Sequence, residues 1–89
     1  MQKTDESFIE YPCQFPIKAM GLATQEFERM VLEIVQRHAP ETQESAVHKR
    51  DSSNGKYLSV TVTIEASSRE QLDAIYLDLT AHELVLMAL

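Results

Sequence analysis

The sequence predicts an α+β domain of the ferredoxin-like, split βαβ class: β-α-β-β-α-β, with a four-stranded antiparallel sheet and two helices on one face. Three observations predict it. Two segments repeat apolar residues at helical spacing behind polar capping residues. Two others alternate apolar and polar residues with the period of a strand. An Asn-Gly pair marks a hairpin between the second strand and the third.

Residues 1–10, MQKTDESFIE, read as a polar N-terminal tail, and residues 11–89 as the single domain. Phe8, Ile9 and Tyr11 are expected to pack onto its edge. Pro12 and Pro16 lack a backbone N–H and so favour a strand start or an edge. From Cys13 the chain alternates: Cys13, Phe15, Ile17 and Ala19 toward the core, Gln14, Pro16, Lys18 and Met20 away from it. Gly21 is read as the strand's end. Thr24 has the hydroxyl of an N-cap. Phe27, Met30, Val31, Ile34 and Val35 then form a buried stripe that His38 continues. Pro40 stops this helix, because the residue before a proline is pushed out of the α region.

A short edge strand is expected near residues 45–50. Asp51-Ser52-Ser53-Asn54-Gly55 reads as its turn, since Asn-Gly tolerates positive φ. In KYLSVTVTIEA, Leu58, Val60, Val62 and Ile64 share one face and Tyr57, Ser59, Thr61 and Thr63 the other. Its β-branched residues suit a pleated surface. Ser67 with Glu70, or Ser68 with Gln71, forms a capping box. Leu72, Ile75, Tyr76 and Leu79 are the second buried stripe, and ELVLMAL supplies the last strand. Right-handed crossovers put the first and third strands in the middle of the sheet. The face away from the helices is then open and shows Lys18, Met20, Tyr57, Ser59, Thr61 and Thr63.

Composition narrows the partners. Eight Lys and Arg against 14 Asp and Glu give a net charge of −6 and a pI near 4.9. Such a surface repels phosphate backbones, so neither nucleic acid nor an anionic membrane is an expected partner. The topology is shared with RNA-recognition domains, but those stack bases on central-strand aromatics, and only Tyr57 is available here. The single cysteine excludes an internal disulfide framework and fits a reducing cytoplasm. The N-terminus lacks the apolar region of a signal peptide, and no apolar run is long enough to span a membrane. A domain this small buries only roughly 60 to 65% of its chain's surface. A deep cavity would be costly, and a homodimer would gain stability.

The motif Tyr11-Pro12-Cys13-Gln14-Phe15-Pro16-Ile17-Lys18-Ala19-Met20-Gly21 resembles the opening of the YbeD-like family of small bacterial proteins. The family's pattern is matched at Tyr11, Pro12, Phe15, Lys18, Met20 and Gly21. Further matches lie at Val35, His38-Ala39-Pro40, Ser53, Gly55, Tyr57, Ser59-Val60, Val85 and Met87. Residues 41–45 and Leu86 depart from it. The resemblance covers the chain after residue 8. It implies a ferredoxin-like fold similar to ACT regulatory domains, which bind small metabolites at subunit interfaces. Family members are often encoded beside lipoate-attachment and lipoate-synthesis genes, which implies a link to lipoate metabolism.

The candidate ligand-binding residues are Lys18, Met20, Gly21 and Tyr57. Lys18 on an open central strand can hold a carboxylate or a phosphate, or lie solvated. The Met20-Gly21-Leu22-Ala23 connection can offer N–H groups to an anion, or serve as a plain turn. His48, Lys49 and Arg50 form a basic hairpin, read either as a solvated edge or as a dock for an acidic partner. Cys13 has the parity of core residues and no adjacent base, so it reads as packing. His38, His48 and His82 are too scattered for a metal motif. Acylphosphatases share the topology, but MGLATQEF lacks the arginine of their anion loop. With no nucleophile, base and oxyanion set, no enzyme and no cofactor are expected. The expected function is a cytoplasmic metabolite-sensing domain. The alternative is a protein-interaction adaptor with no small ligand.

Overall fold

The computed structural model describes residues 9–89, so the expectation for Phe8 and the rest of the tail before residue 9 lies outside them. The elements follow the predicted order: β1 (Cys13–Leu22), α1 (Gln25–His38), β2 (Val47–Asp51), β3 (Tyr57–Ala66), α2 (Arg69–Ala81) and β4 (Met87–Ala88). The sheet order is β2-β3-β1-β4, and every pair is antiparallel. The first and third strands are therefore central, as right-handed crossovers require.

β1 and β3 pair along their whole length, from Cys13 opposite Ala66 to Leu22 opposite Tyr57. Ile17, Ala19, Val60 and Val62 on one side of this ladder are fully buried beneath Phe27, Val31 and Val35 of α1 and Ile75 and Leu79 of α2. Burying a large aliphatic or aromatic side chain contributes about 1.5 to 3 kcal/mol relative to leaving it in water. Cys13 and Phe15 share this side but are half-buried, because they lie toward the sheet's end.

Both helices start where their caps dictate. The Phe27 N–H donates to Thr24 Oγ1 at 3.0 Å, and the Gln71 N–H donates to Ser68 Oγ at 3.1 Å. Of the two predicted capping boxes, the one at Ser68 forms, with one change. Gln71 Oε1 accepts from the Ser67 N–H at 2.7 Å, one residue earlier than the usual partner. Gln71 Nε2 reaches across to the His38 carbonyl at 2.8 Å, and His38 Nε2 lies 2.6 Å from Asp78 Oδ2. The C-terminus of α1 is thus tied to α2 at two points.

Three local differences have simple causes. β1 continues one residue beyond Gly21. A single 3-10 turn at Glu44–Ala46 leads into β2. β4 is much shorter than the run ELVLMAL, because residues 82–85 bring the chain down from α2 through His82 N–H to Leu79 and Val85 N–H to His82 bonds, both 3.1 Å. The Leu86 N–H then donates to Met20, and Leu89 and Lys18 exchange both backbone bonds. The β4 ladder ends there. Pro16 lies inside β1 but just past that end, where its missing N–H leaves no ladder bond unmade.

Gly21 and Gly55 are required for different reasons. Gly21 is buried, and a Cβ there would sit 2.5 Å from Phe27 Cε1 and 2.6 Å from the Leu84 carbonyl oxygen. Gly55 closes the hairpin turn at φ 73°, a conformation that costs other residues. Gly21→Ala should therefore destabilise the fold by about 2 to 3 kcal/mol, and Gly55→Ala by about 1 kcal/mol. Denaturant unfolding checks both. The Tyr76 hydroxyl donates to the Leu89 carbonyl, and burial raises the tyrosine's pKa above its ordinary value. The folded state then holds that proton to higher pH than the unfolded chain. Stability should fall as pH rises through the tyrosine range, and Tyr76→Phe should remove this part of the alkaline slope in pH-dependent unfolding.

Candidate functional site

Alternation sends the other half of each central strand away from the helices. Pairing then arranges those residues in rows across the sheet. One row is Arg50, Ser59, Met20 and Met87, and the next is His48, Thr61, Lys18 and Leu89. Leu22 and Tyr57 stand side by side at the end. Lys18 on β1 and Arg50 on β2 lie two strand spacings apart and one row out of step, roughly 12 Å between backbones. Both are long enough to reach over Ser59.

Between them lies an open concavity of about 590 Å³. Lys18, Met20, Leu58 and Ser59 line it from the central strands, and Arg50, Asp51, Ser52, Ser53 and Tyr57 from the hairpin. The hairpin is held by its own hydrogen bonds. The Ser52 N–H donates to the Tyr57 carbonyl at 2.9 Å, and the Tyr57 N–H donates to Ser52 Oγ at 3.1 Å. Asn54 Oδ1 accepts from Ser52 Oγ at 2.8 Å and from the Lys56 N–H at 3.0 Å. Lys56 Nζ sits 5.5 Å from the Tyr57 ring centroid, a cation–π distance that favours one placement of the ring.

Among the described residues no carboxylate pairs with Lys18 or Arg50. Lys49 differs. It points to the helix side, where its Nζ lies 3.2 Å from Glu28 Oε1. The basic run His48-Lys49-Arg50 is therefore split between two faces, with His48 and Arg50 on the open face and Arg50 alone of the three lining the groove. The fold brings together Lys18, Met20 and Tyr57 of the predicted ligand residues. Gly21 is on the helix side, packed under Phe27. In the connection after it, the Ala23 N–H is bonded to Lys56 and the Thr24 N–H to Leu22.

Local pattern did not single out Arg50, Ser52 and Ser53 as groove residues. The parity of β2 against β3 is the signal that places Arg50 beside Ser59. The remaining histidines have structural contacts: His38 meets Asp78, and His82 Nδ1 accepts from the Leu84 N–H at 3.1 Å. Among the described residues no three His, Cys, Asp or Glu side chains gather as metal ligands, and no helix is long and apolar enough to cross a membrane. The groove offers cations, hydroxyls and a thioether. Cations and hydroxyls of this kind can hold an anion, and a thioether can lie against an apolar body. Since neither cation holds the fold together, Lys18→Met and Arg50→Thr should each change unfolding stability by no more than about 0.5 kcal/mol. A loss above about 1.5 kcal/mol would mark them as structural.

The chain is similar along its length to other bacterial proteins. The UPF0250 protein NE1487 of Nitrosomonas europaea is 51% identical over 86 residues, covering 97% of this chain and 99% of the relative. A UPF0250 protein of Chromobacterium violaceum is 45% identical across the whole of both chains. The solution structure of HP0495 from H. pylori superposes with a TM-score of 0.73, covering 100% of this chain and 97% of that one. Its 18% identity speaks for the fold alone. The family model for a protein of unknown function, DUF493, matches residues 6–89. The chain thus belongs to the DUF493 (UPF0250) family, the YbeD-like family whose opening motif it carries.

Proposed function

We propose that this chain is a small regulatory domain, ACT-like in kind, that binds an organic anion on its open sheet face. The observation that supports this is the convergence of Lys18 and Arg50, without carboxylate partners among the described residues, on one groove floored by Met20. On a chain of net charge −6, two such cations on one face favour a negative ligand. The ligand class is a carboxylate with an apolar body: the carboxylate meets Lys18 and Arg50, and the body lies on Met20 and Tyr57. Lipoate and octanoate have this form and suit the lipoate link that the family resemblance implies. Binding alone is needed, with no covalent step.

A second reading, an adaptor for another protein, is favoured by one feature. Leu22, Met87 and Leu89 remain 49%, 51% and 65% exposed beside the groove. That apolar strip is wider than a small carboxylate needs.

A thermal-shift screen against amino acids, lipoate, octanoate, nucleotides and common organic acids separates the readings. A ligand at 100 times its Kd adds about 2.7 kcal/mol when it binds only the folded state. For a domain this small the midpoint should rise by more than about 10 °C. The shift should vanish in Lys18→Ala and shrink in Arg50→Ala. A flat screen would overturn the sensor reading and leave the adaptor.

A further inference from the structure

Among the described residues, no strand neighbours the outer edge of β2. The Ser52 N–H bonds to Tyr57 of β3, and alternate residues of a strand point the same way. His48, Arg50 and Ser52 therefore face β3, while Val47, Lys49 and Asp51 face outward. The Val47 N–H is already bonded to the Glu44 carbonyl. Lys49 and Asp51 are left with two N–H and two C=O groups directed away from the sheet.

This short edge is self-complementary. Consider a second copy laid antiparallel, with the two-fold axis at Arg50. Lys49 of each chain then stands opposite Asp51 of the other, and all four outward backbone groups are paired. An axis at Lys49 would set lysine against lysine, and one at Asp51 would set aspartate against aspartate. Like charges directly opposite are destabilising, so charge selects the first register.

The open face bears on the same register. On the open side, the two Arg50 residues meet across the axis as a non-hydrogen-bonded pair, with Cβ atoms about 4.5 to 5.5 Å apart. Two arginines at that distance repel each other unless an anion lies between them.

We infer that two copies of this chain join at the outer edge of β2 in the register that sets Lys49 against Asp51, and that Arg50 of the second copy completes the anion-binding groove. The role of that arginine rests on the groove reading above; the pairing itself does not. Two Lys18–Arg50 grooves become continuous across the axis. Anion binding and dimerisation are then linked, because the anion relieves the repulsion that opposes pairing.

Sedimentation equilibrium of the full chain, with and without added citrate, tests this. The wild type should dimerise, and citrate should tighten the dimer. Asp51→Lys should weaken association about tenfold or more, and adding Lys49→Asp to it should restore association to within about threefold. Circular dichroism checks that each variant folds, since Lys49→Asp also meets Glu28. In a Cys13→Ser background, Arg50→Cys should cross-link two copies under mild oxidation and His48→Cys should not. A chain that stays monomeric with and without citrate overturns the inference, as does a double variant that fails to recover or cross-linking equal at both positions. The two readings fail separately. A dimer with a flat ligand screen retains the β2 pairing and sinks the groove reading. A ligand shift in a monomeric chain does the reverse.

Discussion

The full-length pairing of β1 with β3 is the constraint on which everything else depends. It fixes parity. Ile17 against Val62 and Ala19 against Val60 go under the helices, so Lys18 against Thr61 and Met20 against Ser59 must face the other way. A slip of one residue would bury Lys18 and expose Ile17. Ten paired residues on each strand, with four fully buried aliphatic side chains at their centre, make that slip costly. The helices cover one face because the ladder presents an apolar one. The groove exists because the ladder leaves its other face uncovered.

The same parity separates helix-side from open-face charges. Lys49 and Arg50 are neighbours in sequence, yet one meets Glu28 of α1 and the other stands over Ser59. The edge of β2 gains a helix contact from the first, and the open face gains a cation from the second. Gly21 shows the same division on β1. It precedes the turn into α1 and has the look of a ligand-loop glycine, but its place is set by Phe27 and Leu84. The closed connection and the open groove lie on opposite sides of one strand.

Local order was legible wherever a single stretch of chain carries its own reason. Thr24, Ser68 and Pro40 bound the helices through caps and a forbidden backbone region. Asn54-Gly55 closes the hairpin, and the alternation in β1 and β3 gave the core face residue by residue. What stayed hidden involves partners far apart in the chain. His38 and Asp78 lie 40 positions apart, and Gln71 reaches back 33 to the His38 carbonyl. No periodicity within one helix reports such contacts. The length of β4 was misjudged because an apolar run does not reveal how much of it is spent descending from α2. In the site, Lys18, Met20 and Tyr57 were visible as open-face residues. Arg50, Ser52 and Ser53 join them only once the register of β2 against β3 is known.

The central claim is that the open sheet face, and not the helix layer or the β1–α1 connection, is where this chain meets its ligand. Amide chemical-shift mapping of the uniformly 15N-labelled protein, titrated with lipoate and octanoate, tests it most directly. The account predicts saturable shifts clustered at Lys18, Met20, Arg50, Ser52, Tyr57 and Ser59, with the outer helix surfaces unchanged. Shifts centred on residues 23–26 or on the outer helix surfaces, or none at all, would contradict it.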